Sequence, residues 1–142
     1  MSARGLVHHI DLTVGDVAAS RRFYDAVLGF MGYRRVQDYA HGSDWNRLPP
    51  APFHSIGIRI AEGPEAERAH DRYSRGLHHL AWAAESREDV DRLHELLIDI
   101  GAVILDVPVD YLQYGPDYYA VFFADPDGIK LEYVAGVAGD PL

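Results

Sequence analysis

The sequence predicts an α+β fold of two βαβββ modules, whose strands form a curved mixed sheet around a concave inner face, with the helices outside. Three observations support this prediction. The dipeptide His-His occurs at residues 8–9 and again at 78–79, 70 positions later, and each time it precedes a short apolar run. The segments 23–30 and 93–100 align at the same spacing without a gap, and their apolar positions match. Several short β-like runs follow each segment, as expected for a duplicated unit.

The composition fits a small globular protein and excludes several classes of function. The chain has 142 residues, of which 48% are hydrophobic and 25% charged, as is ordinary for a soluble domain. Its net charge is −9 without a basic run, which argues against nucleic-acid binding. It has no cysteine, so disulfides and thiolate chemistry are excluded. The N-terminus resembles no signal peptide and no segment could span a bilayer, so we expect a cytoplasmic protein without a membrane partner.

Each first strand leads into an amphipathic helix. Asp16 is placed to cap the first helix, and Ser86 with Asp89 three residues later is typical of the start of the second. Gly29 and Gly101 lie near the C-terminal ends of these helices, where a left-handed residue is favoured.

Short β-like runs follow the helices. They lie at residues 33–39, 54–61, 102–107, 118–124 and 129–134. The sequence Asp-Pro-Asp-Gly at 125–128 is typical of a type I turn, and we expect it to join the last two strands as a hairpin. The polar segment 63–75 is expected to join modules that extend over about 5–62 and 76–135, within a single domain of residues 1–142.

The alternation of side chains along the strands predicts which residues face the inner surface. If the apolar residues of each strand cover the helices, then His9, His79, Lys130 and Glu132 point the other way. Two imidazoles and one carboxylate suit Fe, Mn, Ni, Co or Zn, and three protein ligands leave positions open for water and substrate. The alternative is that the histidines are hydrogen-bonded at strand ends and Glu132 is solvated.

On these residues the chain resembles the vicinal oxygen chelate superfamily. That superfamily includes glyoxalase I, fosfomycin-resistance proteins, methylmalonyl-CoA epimerase, extradiol dioxygenases and bleomycin-resistance proteins. Three segments carry the resemblance, residues 8–30, 76–84 and 122–134, the last with a glutamate four residues after the glycine of its turn. The resemblance implies one divalent metal ion held by His9, His79 and Glu132, with Glu132 also as the catalytic residue.

The chain departs from several members of that superfamily. Glyoxalase I and the epimerase have a fourth ligand on the last strand of the first half, which falls here at Gly57, or at Ile58 in a shifted register. Extradiol dioxygenases have a tyrosine three residues before the turn, where this chain has Phe122. Fosfomycin-type transferases need only three ligands and a basic pocket for a phosphonate, for which Arg59 and Lys130 are candidates.

The tyrosine-rich segment 106–120 is placed to form part of a substrate pocket. Tyrosines in such a loop can contact an aromatic or polar substrate, or can equally serve packing. The predicted substrate-binding residues are Arg59, Tyr114, Tyr118, Phe122 and Lys130.

The leading hypothesis is therefore a metal-dependent enzyme acting on a small substrate with vicinal oxygens. Its reaction would be glyoxalase- or lyase-like, isomerase-like or dioxygenase-like. The alternative is a metal-free small-molecule or drug-binding protein of the bleomycin-resistance kind, and a third is a regulatory or structural module without a ligand. Substitution of His79 would abolish activity in the first case and spare ligand affinity in the second. We expect a homodimer, in which the modules pair within one chain or swap between two.

Overall fold

The computed structural model describes residues 2–136, which form two helices and eight strands. In chain order these are β1 His9–Val14, α1 Val17–Phe30, β2 Tyr33–Tyr39, β3 Gly42–Arg47, β4 Ser55–Ile60, β5 Leu80–Ala83, α2 Arg87–Asp99, β6 Val103–Asp110, β7 Tyr119–Ala124 and β8 Lys130–Ala135.

The chain divides after Arg68 into two compact units. The first unit has a sheet of strand order β1-β4-β3-β2, and the second has a sheet of order β5-β8-β7-β6. In each unit the first and last strands are parallel and the remaining pairs are antiparallel. Both units have the βαβββ order along the chain, and each helix packs on the sheet of its own unit. The predicted α+β class is therefore confirmed.

In the first unit, strand alternation separates a buried face from an exposed one. Leu12 and Val14 of β1 are buried, and so are Phe23 and Val27 of α1. His9 and its alternate neighbours along β1 are exposed. The predicted direction of the β1 side chains is therefore confirmed.

In the second unit, β8 presents its two faces to different surroundings. Leu131 and Tyr133 are buried, and the Tyr133 hydroxyl donates a hydrogen bond of 2.6 Å to Asp89 of α2. This face therefore covers the helix, as the alternation predicts. Lys130 and Glu132 point to the opposite face of the sheet.

The start of each helix has the predicted cap. The Asp16 carboxylate accepts a hydrogen bond from the backbone N–H of Ala19 at 3.0 Å. Ser86 Oγ accepts from the backbone N–H of Asp89 at 3.1 Å, and the Asp89 carboxylate accepts in return from the N–H of Glu85. Neither α1 nor α2, the helices of the described residues, is long and apolar enough to cross a membrane.

The end of α1 differs from the prediction. Gly101 follows α2 with φ 71°, as expected. Gly29, however, lies inside α1, and the left-handed residue after that helix is Gly32, with φ 92°. The prediction for Gly29 was wrong because α1 continues by one residue to Phe30, which moves the turn to the next glycine.

The turn at Asp125 is confirmed. The Gly128 N–H donates to Asp125 O at 3.0 Å, and the Asp125 carboxylate accepts from the N–H groups of Asp127 and Ile129. Gly128 has φ 82°, which a glycine adopts without strain. The turn joins β7 to β8, so it sets the register that places Glu132 opposite Phe122.

Strand β3 is absent from the sequence prediction. Its sequence, Gly-Ser-Asp-Trp-Asn-Arg, lacks the alternation of an amphipathic strand. Ser43 is nevertheless fully buried, because its hydroxyl binds Arg21 and Asp38. Trp45 is also buried, and its indole N–H donates to Asp25 of α1 at 2.9 Å. Arg21 and Asp25 are about 20 residues away in the sequence and Asp38 lies on the neighbouring strand β2, so the local sequence does not reveal β3.

Candidate functional site

The second unit contains a cavity of about 300 Å³. Its lining consists of His78, His79, Tyr114, Tyr118, Phe122, Lys130 and Glu132. Six of the eight residues predicted for metal or substrate binding therefore lie together. The other two, His9 and Arg59, belong to the first unit. The sequence predicts no role for His78, although the repeated His-His dipeptide is a signal that points to it.

Parallel pairing of β5 with β8 brings His79 and Glu132 together. In this pair Ala81 is the partner of Glu132, and His79 immediately precedes β5. His79 and Glu132 thus extend from neighbouring strands on the face that α2 does not cover. The distance from His79 Nε2 to Glu132 Oε1 is 3.2 Å.

The Glu132 carboxylate is buried without a strong cationic partner. The residue is only 2% exposed, and its other oxygen, Oε2, accepts a hydrogen bond from the Tyr118 hydroxyl. In the part of the chain that the structure describes, no lysine or arginine forms an ion pair with it. Because a buried carboxylate is costly unless it is paired, this site calls for a positive charge beside Glu132.

Tyr118 is held in its protonated form by this arrangement. Burial raises the pKa of its phenol, and so do the hydrogen bond to Glu132 and the charge of that carboxylate. A phenol with a raised pKa remains a donor at neutral pH. Tyr118 therefore fixes one oxygen of Glu132 and leaves the other turned toward His79.

The two His-His dipeptides have the same internal geometry. His8 Nδ1 and His9 Nδ1 are 3.0 Å apart, and His78 Nδ1 and His79 Nδ1 are 2.7 Å apart. In each pair one Nδ1 must carry the proton and the other must accept it. Burial first, and then the charges of His79 and Lys130, lower the pKa of His78, which favours a neutral His78 that can accept.

The cavity wall beside Glu132 is aromatic. The rings of Tyr111 and Tyr118 lie 6.2 Å apart, those of Tyr111 and Phe122 5.4 Å apart, and those of Tyr114 and Tyr118 5.3 Å apart. The Lys130 ammonium lies 4.6 Å from the centre of the Phe122 ring, which is cation–π distance. The predicted substrate-binding residues of this unit thus form one cluster, and their role in binding stays a prediction.

In the first unit, the position that corresponds to Glu132 is Gly57. Gly57 pairs with Asp11 of β1 as Glu132 pairs with Ala81 of β5, which agrees with the predicted register. A Cβ at Gly57 would lie 2.2 Å from Asp11 Oδ1 and 2.7 Å from Asp44 Oδ1. The space in front of Gly57 is therefore taken by two carboxylates, and the residue itself offers no ligand.

Arg59 lies within this acidic group. Its guanidinium donates to Asp44 Oδ1 at 3.1 Å, lies 3.9 Å from Asp11 Oδ1 and stands over the Tyr39 ring at 5.0 Å. The charge of Arg59 is therefore balanced inside the unit. Its predicted role in binding substrate is not tested by these contacts.

Within either unit, the described residues contain no group of three His, Asp or Glu side chains that could hold a metal ion. The second unit supplies two of the predicted ligands, His79 and Glu132, at 3.2 Å. The predicted third ligand, His9, is an exposed residue at the first position of β1.

Comparison with known proteins identifies a superfamily and several relatives. The model of the Glyoxalase/Bleomycin resistance protein/Dioxygenase superfamily matches residues 6–133. The uncharacterized protein YqjT of Bacillus subtilis (strain 168) is 38% identical over 129 residues, which cover 91% of this chain and 98% of that protein. The Arabidopsis thaliana protein named Glyoxylase I 4 is 28% identical over 132 residues, 89% of this chain and 68% of that protein.

Solved structures of similar proteins have the same fold. A Bacillus halodurans protein, provisionally described as a glyoxalase, is 33% identical and has a TM-score of 0.78, with 94% of this chain and 97% of that chain covered. A glyoxylase/bleomycin resistance protein/dioxygenase domain from Frankia sp. EAN1pec is 27% identical, with a TM-score of 0.70 over 96% of this chain and 100% of that chain.

Proposed function

Because the chain belongs to the Glyoxalase/Bleomycin resistance protein/Dioxygenase superfamily, whose members typically bind a metal, we propose that it is a divalent-metal-dependent enzyme. Its substrate is a small molecule with two neighbouring oxygens. The ligands are His9, His79 and Glu132, and the ion is Fe, Mn, Ni, Co or Zn. The reaction is a lyase-, isomerase- or dioxygenase-type step on that substrate.

The observation that supports this proposal is the environment of Glu132. Its carboxylate is 2% exposed, lies at the wall of a cavity and faces an imidazole nitrogen instead of a lysine or arginine. A purely structural carboxylate at such depth would be expected to have a fixed cationic partner. A divalent ion held by Glu132 and His79 would supply the missing charge, and this supports the proposal.

The neighbouring residues orient both donors toward such an ion. A proton on His79 Nδ1, donated to His78 Nδ1, leaves the lone pair of His79 Nε2 directed at Glu132. Histidines that bind metals commonly donate their second N–H to a neighbouring acceptor in this way. Tyr118 holds Glu132 Oε2 and leaves Oε1 for the ion.

A divalent ion, when bound, supplies Lewis acidity toward the two neighbouring oxygens of the substrate. The chain's own residues bind and orient that substrate. The rings of Tyr114, Tyr118 and Phe122 exclude water from one side of the cavity, and Lys130 places a positive charge at its wall. Lys130 can thereby stabilise negative charge that develops on the substrate.

The second candidate function is a metal-free binding protein. The aromatic lining of the cavity supports it, because rings such as Tyr114 can hold a drug-like molecule without any ion. The two functions differ in their response to a chelator.

The test is turnover of a small panel before and after chelation. The panel contains a hemithioacetal for the lyase-type step, a compound with an epimerisable carbon beside a carbonyl for the isomerase-type step, and a catechol with O₂ for the dioxygenase-type step. We expect at least one reaction to stop on chelation and to resume when one of the five ions is returned. Binding of panel compounds that chelation leaves unchanged, without turnover under any ion, would contradict the enzyme and favour the binding protein.

Tyr118→Phe is expected to weaken metal affinity about 10- to 100-fold, because it removes the hydrogen bond that fixes a ligand oxygen. The matched control is Tyr119→Phe. Tyr119 is the adjacent tyrosine, and its hydroxyl donates to Asp91 on the helix side at 2.6 Å. Competition with a chromophoric chelator measures both variants. Equal affinities in the two variants would show that Tyr118 does not position Glu132 for metal.

A further inference from the structure

Lys130 is the only lysine of the chain, beside a dozen arginines. It is the first residue of β8 and lines the cavity of the second unit. Its ammonium lies 4.6 Å from the centre of the Phe122 ring. Among residues 2–136 no carboxylate forms an ion pair with it, although the chain has 22 acidic residues.

The lack of an ion pair with a carboxylate of the described residues distinguishes Lys130 from Arg59, the other basic residue predicted to bind substrate. Arg59 is engaged by Asp44 and Asp11. By contrast, no carboxylate within residues 2–136 forms an ion pair with the Lys130 ammonium. The face of Phe122 cannot replace a carboxylate as a hydrogen-bond acceptor. A cation kept free beside a cavity in a chain of net charge −9 is available to an anion that enters the cavity.

The rings around Lys130 present aromatic surface to the same space. Tyr114 is 65% exposed, whereas Phe122 is only 7% exposed. Tyr114 therefore offers the accessible ring face. The loop that bears Tyr114 is closed by a backbone hydrogen bond from Tyr111 N–H to Tyr118 O at 2.8 Å. The ring is therefore presented from a loop whose two ends are joined, in the lining of the same cavity as Lys130.

The cavity is partly open to solvent, and its volume gives the scale of the part of a ligand that it can enclose. At about 300 Å³ the cavity is at the lower end of the range of small-molecule sites, roughly 300–1,000 Å³. One aromatic ring with a short anionic substituent matches this volume. Its single negative charge matches the single lysine or arginine of the lining, which is Lys130. A ligand with two negative charges would find only one lysine or arginine in the lining, namely Lys130.

We infer that the substrate is a small aromatic monoanion of the arylcarboxylate class. Its ring lies against Tyr114 and Tyr118, and its carboxylate binds the ammonium of Lys130. The inference rests on the proposed function, because it takes this cavity as the substrate site, and it names the chemical class that the family alone leaves open.

The test compares three probes on the protein as isolated: benzoate, benzamide, which lacks the charge, and cyclohexanecarboxylate, which lacks the aromatic ring. Titration calorimetry should show benzoate binding about 10-fold or more tightly than either of the others, since a charge-assisted hydrogen bond and ring stacking each contribute on that order. Equal affinity for benzoate and benzamide would overturn the inference, and so would equal affinity for benzoate and cyclohexanecarboxylate.

Lys130→Met keeps the length of the side chain and removes its charge. We expect it to reduce benzoate affinity about 10-fold or more and to leave benzamide affinity unchanged. Lys130→Arg should restore most of the benzoate affinity, which excludes misfolding as the cause. The control is Arg92→Met on α2, whose guanidinium is exposed and 3.8 Å from Asp89. Loss of benzoate affinity in Arg92→Met as well, or full affinity in Lys130→Met, would contradict the assignment.

The single lysine allows a direct measurement of contact. Reductive methylation with ¹³C-formaldehyde labels Lys130 and the α-amine, and benzoate should shift only the Lys130 signal. A benzoate that binds without moving this signal lies elsewhere, and the inference is then wrong. The metal content is measured first, and the benzoate experiment is then repeated after chelation. Protein that contains no metal before chelation contradicts the proposed function, whereas the selectivity for benzoate tests the present inference alone.

Discussion

Glu132→Gln should abolish tight binding of a divalent ion and leave the metal-free protein at least as stable as the wild type. The carboxylate is a predicted ligand, and glutamine of the same shape lacks its charge. In the metal-free chain the substitution removes a charge that is 2% exposed and that, among residues 2–136, forms no ion pair with a lysine or arginine. Such a change is often neutral or stabilising, here by up to about 1 kcal/mol once the weaker bond to Tyr118 is counted.

The opposite signs of these two effects separate function from structure. Metal affinity is measured by calorimetric titration and the free energy of unfolding by urea denaturation, both on chelated protein. Glu95→Gln, an exposed residue of α2, is the matched control and should change neither quantity. A Glu132→Gln protein that is clearly destabilised but still binds metal like the wild type would make Glu132 a structural residue.

Gly42→Ala should destabilise the first unit by about 3 kcal/mol, the upper part of the range for overpacking. A Cβ at Gly42 would lie 1.9 Å from Ile58 O and 2.9 Å from Ile58 C. Both are backbone atoms of β4, so no side-chain rotation relieves the contact. The substitution would force apart the β3–β4 pair, in which Gly42 is the partner of Arg59.

Gly29→Ala is the matched control, because a Cβ at Gly29 meets no atom within 4 Å. In the helix α1 it should stabilise the protein by about 0.5–1 kcal/mol. Urea unfolding followed by the fluorescence of Trp45, in a Trp82→Phe background, measures the first unit. If the two alanines have similar effects, the close approach of Gly42 to β4 does not govern this sheet.

Much of the fold follows from local patterns in the sequence. The caps at Asp16 and Ser86 and the turn at Asp125 need only neighbouring residues, so their prediction succeeds. Strand β3 escapes prediction because its polar side chains are buried by contacts with Arg21 and Asp38, which are distant in the sequence or lie on another strand.

Part of the candidate site likewise follows from local patterns, and part depends on contacts that these patterns do not describe. Strand alternation is sufficient to put His79 and Glu132 on one face, since parallel neighbours share their side-chain directions. The bond between Tyr118 and Glu132 depends on how the loop before β7 closes, which alternation does not describe. The contact of His78 with His79 likewise depends on the rotamers of the two side chains, which strand alternation does not predict.

The metal content of untagged protein, measured by plasma mass spectrometry beside His9→Ala and His79→Ala, shows whether these histidines hold a divalent ion. We expect about one divalent ion per chain in the wild type and a large loss of that ion in both variants. Wild-type protein that contains no divalent ion, and takes up none when soaked with any of the five candidates, would contradict this expectation.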